Sequence, residues 1–91
     1  MQYHWDSRKA ARNLSKHDIS FQEAVTVFDD PLFVIFADPD HSIREKRVII
    51  MGESNRQRLL VVAYTERSNG IRVVSARKAT PKEREVYEEE I

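Results

Sequence analysis

The chain contains no cysteine, only two glycines and three prolines, and a single tryptophan in 91 residues. Without cysteine, no disulfide or thiolate chemistry supports the fold. Two glycines are too few for a Gly-rich phosphate loop, and no nucleophile elbow is present. No apolar run approaches the roughly 18–20 residues of a membrane span, and Met1 is not followed by a signal-type apolar segment. A soluble chain in a reducing, cytoplasmic setting is therefore expected. The histidines His4, His17 and His41 are scattered, with no His-x-His or i, i+4 histidine pair, so no metal site is expected. Repeats, low-complexity tracts and linkers are also lacking, and the length suits one domain spanning residues 1–91.

Charge is abundant but unevenly placed. Lys and Arg total 15, as do Asp and Glu. Between Arg44 and Lys82, ten cations face three acids, whereas the tail from Glu83 carries five Glu and one Arg. Residues 29–40 are also acidic, through Asp29, Asp30, Asp38 and Asp40. A neutral sum thus hides a basic segment between acidic flanks, and local fields steer a polyanion. The alternative is that these cations merely solvate exposed strands.

Helix signals open and close the chain. Tyr3 to Trp5 fits a short strand or an aromatic clamp. Asp6 is an N-cap for a helix to about His17, and Ser20 with Glu23 forms a capping box for a second. Phe21, Ala24, Val25 and Phe28 make a core-facing stripe that ends at Asp29-Asp30-Pro31. Strands are expected over Leu32–Phe36, Lys46–Met51, Arg58–Glu66 and Ile71–Arg77, the last two joined by an Asn69-Gly70 turn. Thr80-Pro81-Lys82-Glu83 then combines N-cap, proline at N1 and Glu at N3. The order predicts an α+β fold: two N-terminal helices, an antiparallel sheet of about four to five strands and a C-terminal helix, with the helices covering one sheet face. Trp5 and the phenylalanines are expected in the core. Tyr3 or Tyr64 could instead stack on a base.

A two-residue Asn69-Gly70 loop pairs Ser68 with Ile71, which sets Tyr64, Ser75 and Arg77 on one face and Thr65, Arg67, Arg72 and Lys78 on the other. One bulge would exchange these sets. Arg77 and Lys78 place two cations at a strand end, as phosphate binding requires, although alternation points them apart. Glu45 and Arg47 are two apart on one strand face. For phosphodiester cleavage a carboxylate serves as general base and guanidinium groups stabilise phosphate charge. On spacing alone an ordinary ion pair is the default.

Several segments, in order, resemble BrnT-type toxins: Trp5-Asp6-x-x-Lys9, Asn13, Lys16-His17, Ser20-Phe21, Glu23-Ala24 and Phe28-Asp29-Asp30-Pro31. So do Glu45-x-Arg47, Leu60-Val61-Val62, Thr65-x-Arg67 and Ser75-Ala76-Arg77-Lys78-Ala79. The resemblance runs essentially end to end. It implies a RelE-like α+β fold and the toxin of a type II toxin–antitoxin system, a metal-independent endoribonuclease in which the RNA 2′-OH attacks the adjacent phosphate. It also implies an RNA substrate, no cofactor, a BrnA-like ribbon-helix-helix antitoxin in a hetero-oligomer, and operator DNA contacted indirectly through that antitoxin. Carried onto this sequence, the catalytic candidates are Glu45, Arg47, Arg67 and Arg77: Glu45 as general base, Arg47 orienting the phosphate, Arg67 and Arg77 binding it and stabilising its charge. Lys16, His17, Arg58, Thr65 and Lys78 are RNA-binding candidates. The inferred facing sets Arg67 and Arg77 on opposite faces, so either a bulge unites them or one is structural. A non-catalytic basic binding module, or an inactive toxin relic within a repressor complex, is the alternative function.

Overall fold

Three local caps fix where the helices begin. Asp6, in an extended conformation, accepts the backbone N–H groups of Arg8 at 2.8 Å and Lys9 at 3.2 Å, opening α1 (Ser7–His17). Asp18 closes α1 with φ 60°, its N–H returning to the Leu14 carbonyl. Ser20 Oγ accepts the Glu23 N–H at 3.0 Å and opens α2 (Phe21–Ala24). The single second helix expected from the sequence does not persist. It tightens into a 3-10 turn over Val25–Asp29, where Thr26 Oγ1 donates to the Glu23 carbonyl at 2.6 Å and accepts the Asn55 N–H at 2.9 Å. Tethering Thr26 to a distant loop competes with continued α-helix. At the other end Thr80 and Glu83 cap each other reciprocally, opening α3 (Pro81–Glu89).

The computed structural model describes residues 2–38 and 46–89. Its α+β fold has one five-stranded sheet built from β1 (Tyr3–His4), β2 (Val34–Ala37), β3 (Arg47–Glu53), β4 (Leu59–Arg67) and β5 (Gly70–Lys78), in the order β1-β5-β4-β3-β2. The sheet is mixed rather than wholly antiparallel, because β1 runs parallel to β5. Short loops dictate the antiparallel meander β2 to β5. The parallel pair becomes possible because α1, α2 and the rest of the meander separate its two strands.

The hairpin differs by one residue from expectation. Arg67 pairs with Gly70, so Ser68 and Asn69 form the loop. Gly70 has φ 132°, and a Cβ there would lie 2.2 Å from the Gln2 carbonyl oxygen. The glycine is thus required by the close approach of the chain leading into β1, whose Gln2 oxygen accepts the Ile71 N–H at 2.9 Å. Further along β5, Tyr64 pairs with Val73 but Ala63 with Ser75, leaving Val74 as an extra residue. This bulge re-aims everything that follows it. Beyond Arg72 the outer edge of β5 has no strand partner among the described residues. There α1 covers it: Asn13, buried, accepts the Ala76 N–H at 3.0 Å and donates to the Ile19 carbonyl at 2.9 Å.

Alternation divides the apolar residues between two clusters. Leu60, Val62, Tyr64, Val73 and Ala76 pack against Phe21, Ala24 and Val27 on the helix side. Leu59, Val61 and Met51 pack against Tyr87 of α3. The helices therefore lie on both faces, not one. Aromatic contacts join Trp5 to Phe21, and Tyr3 to Phe28 to Tyr64. Both tyrosine rings are thus committed to packing, whereas Phe33 and Phe36, expected in the core, are exposed.

Replacing Asn13 by Ala leaves the Ala76 N–H and Ile19 carbonyl without partners. The expected loss is about 2–3 kcal/mol of unfolding free energy, read by urea denaturation. An unchanged midpoint would show that the bulge does not depend on this side chain.

Candidate nucleic-acid interface

The bulge has an electrostatic consequence. Odd-numbered residues of β4 share a face with Arg47, which pairs with Thr65, and with Arg72, which pairs with the same Thr65 from the other side. His4 is aligned with Arg72 in the parallel pair. A transverse row His4–Arg72–Thr65–Arg47 results, with Arg67 two residues beyond Thr65. Neighbouring strands lie ~4.8 Å apart, so the Arg47 and Arg72 backbones are about 10 Å apart, and Arg67 is about 7 Å from Thr65 along β4. Three guanidinium-bearing positions thus surround one threonine.

Contacts within the row are specific. Thr65 is 1% exposed, and its hydroxyl accepts Arg67 Nε at 3.2 Å. Nε of Arg47 is buried and, among the described residues, has no hydrogen-bond partner. A buried donor in that state is costly unless another acceptor is supplied. His4 Nε2 contacts the Asn69 carbonyl at 2.9 Å, tying β1 to the hairpin loop. A cleft of about 360 Å³ at the adjoining strand ends is lined by Lys46, Val48, Thr65, Glu66 and Arg67.

Arg77 lies on this same face, since it pairs with Val61. The bulge does unite it with Arg67, as one of the two sequence alternatives required. Six residues of strand still separate their positions on β4, about 20 Å. Arg77 instead grips α3, with Nη1 and Nη2 donating to the two carboxylate oxygens of Glu83 at 2.7 and 2.8 Å. The Arg77 hydrogen bonds hold the Glu83 carboxyl down at about 2, against the opposing effect of burial.

The remaining candidates fall elsewhere. Arg58 is on the helix side, donating to the buried Glu23 through Nε at 2.9 Å and through Nη2, and to the Asp18 carbonyl at 2.9 Å. Hydrogen bonding to Arg58 is the first cause of a lowered Glu23 pKa, with Ser54 assisting. Lys16 and His17 end α1 and line a cleft of about 320 Å³ with Lys9, Arg12, Asn13, Val74 and Ser75. Lys78 is exposed on the opposite face from Arg77. Glu45 lies outside the described residues. The structure therefore gathers Arg47, Thr65 and Arg67, sets Arg77 apart on the same face, and separates Lys16, His17, Arg58 and Lys78 from them. Arg72 and His4 join the row although they were not among the sequence candidates. Alternation already grouped Arg72 with Thr65 and Arg67, but only the parallel pairing of β1 could reveal His4.

The fold and this face define a small α+β protein whose mixed sheet carries clustered arginines around a buried threonine. Residues 5–83 match the model of the family described as ribonuclease toxin, BrnT, of type II toxin–antitoxin systems. The chain belongs to that family. It is also similar to the crystal structure of the Brucella abortus ribonuclease toxin, BrnT, with a TM-score of 0.65 and 22% identity over 88% of this chain and 97% of that one. No curated protein sequence matches the chain. The family match stops at Glu83, so most of α3 lies beyond it.

Because the Glu83 carboxyl is depressed to about 2, the Arg77 pair stabilises the fold above the ordinary glutamate range and loses that effect as pH falls through the depressed value. Arg77 is 44% exposed, so solvent screening reduces the contribution to about 1–2 kcal/mol. Glu83→Gln should be less stable by that amount at neutral pH, and the difference should vanish in urea titrations near pH 2. A difference that is constant with pH would contradict the assignment.

Proposed function

We propose that this chain is a toxin that cuts RNA without a metal ion and is neutralised by a cognate antitoxin in the cytoplasm. The observation that carries this reading is the grouping of Arg47, Arg67 and Arg72 around Thr65 on one sheet face. Guanidinium groups match phosphate geometry and retain their charge at any working pH. Arg47 brings a further guanidinium to that group from the neighbouring strand.

In this mechanism Glu45, two positions before Arg47 in sequence, removes the 2′-OH proton. The 2′ oxygen bonds to phosphorus as the bond to the 5′ oxygen breaks, leaving a 2′,3′-cyclic phosphate and a 5′-OH, with solvent protonating the leaving oxygen. Arg47 orients the phosphate, while Arg67 and Arg72 stabilise the charge that develops on it. Arg77 keeps its partner Glu83 and serves α3. The antitoxin, of ribbon-helix-helix type, covers the toxin and carries the complex to operator DNA.

Purified protein should cleave RNA in EDTA and leave cyclic phosphate ends. Arg67→Ala should lower the rate by about 100-fold or more while preserving the fold. RNA affinity should also fall steeply with salt, roughly linearly on logarithmic axes. A folded, antitoxin-free protein that cuts no RNA would leave only a non-catalytic role, and a flat salt response would argue against electrostatic binding by this face.

A further inference from the structure

Among the described residues, the outer edge of β2 has no strand partner and is apolar. It ends the sheet, yet Leu32, Phe33, Ile35 and Phe36 are 43%, 42%, 48% and 38% exposed. Natural edge strands are guarded by charges, prolines, bulges or a covering element, and no charged residue or proline interrupts Leu32 to Ala37. The Asp38 N–H donates to the Arg47 carbonyl at 3.2 Å. Antiparallel bonding alternates, so Val34 and Phe36 also turn their backbone groups to β3, and Ile35 and Ala37 turn theirs outward. This edge offers hydrogen bonds and flanking apolar side chains together, which is what an added strand requires.

The neighbouring charge says what kind of strand. At the start of β2 an acidic cleft of about 390 Å³ is lined by Thr26, Asp29, Asp30, Pro31, Glu53, Ser54 and Asn55. Asp30 is occupied there, accepting from Leu32 N–H, Glu53 N–H and the Tyr87 hydroxyl, so Asp29 and Glu53, both exposed, supply the rim charge. A second copy of this chain is a poor occupant. Antiparallel pairing about Ile35 would bring each acidic 29–30 end toward the other copy's Asp38 end, and like charges across strands destabilise.

We propose that the β2 edge is the docking site for an extended apolar segment of the antitoxin, flanked by Lys or Arg that meets Asp29 and Glu53. This rests on the toxin–antitoxin reading above and adds where and how the partner binds. The test uses the full chain and its co-expressed cognate antitoxin. Ile35→Lys should weaken the complex by about tenfold or more, and Asp29→Asn by about threefold. In the wild-type complex the amides of Ile35 and Ala37 should gain hydrogen-exchange protection. RNA cleavage by isolated Ile35→Lys should equal that of the unaltered toxin, so loss of binding with or without nuclease activity separates this surface from the catalytic proposal. Unchanged affinity in both Ile35→Lys and Phe36→Lys, with no new protection, would overturn it. So would a toxin dimer that forms without antitoxin and disappears in Ile35→Lys, because the occupant would then be a second copy.

Discussion

The extra residue in β5 is the constraint on which the arrangement depends. Without Val74 as a bulge, the hairpin register at Arg67 and Gly70 would send Arg77 to the helix side and Ala76 away from the core. With it, Ile71, Val73 and Ala76 all reach the core, while Arg72 and Arg77 share the face of Arg67. A bulge has a cost in unpaired backbone groups, and Asn13 offsets it by taking the Ala76 N–H at the strand edge. One buried amide on α1 thus links helix docking, strand register and the side on which the arginines stand.

That face has two halves with different work. Near the hairpin, Arg47, Arg67 and Arg72 surround Thr65. Toward the other end, α3 covers Leu59, Val61 and Met51 through Tyr87, whose hydroxyl donates to Asp30 at 2.5 Å. Burial and that hydrogen bond push the Tyr87 hydroxyl up to about 12, so it stays a donor throughout the physiological range. Arg77 and Glu83 fasten the start of the same helix. A helix with few apolar contacts and many glutamates is marginal alone. Two polar attachments hold this one on the sheet.

Local signals in the sequence were legible wherever the physics was local. Asp6, Ser20 and Thr80 each cap the helix that their position announced. The bulge was also written there, in apolar spacing that changes from two between Ile71 and Val73 to three before Ala76. The Asn69-Gly70 signal obscured it by suggesting a register one residue off. Gly70 is needed for a contact with Gln2, far away in sequence, and no hairpin rule contains that information. The parallel pairing of β1, and with it His4, was hidden for the same reason. The family resemblance had singled out Arg47, Thr65 and Arg67 as candidates, and the sheet makes them neighbours. The Arg77–Glu83 pairing was hidden because Glu83 was already explained as a helix cap, and the sequence does not show that one carboxylate does both.

The central claim is that the arginines flanking Thr65, and not Arg77, meet the RNA phosphates. Arginine side-chain NMR on the intact protein, titrated with a non-cleavable 2′-deoxy oligonucleotide, tests it directly. The account predicts that the Nε–H signals of Arg47, Arg67 and Arg72 move together while that of Arg77, whose Nη1 and Nη2 are held by Glu83, stays in place. Movement of Arg77 alone, with the other three unchanged, would contradict it.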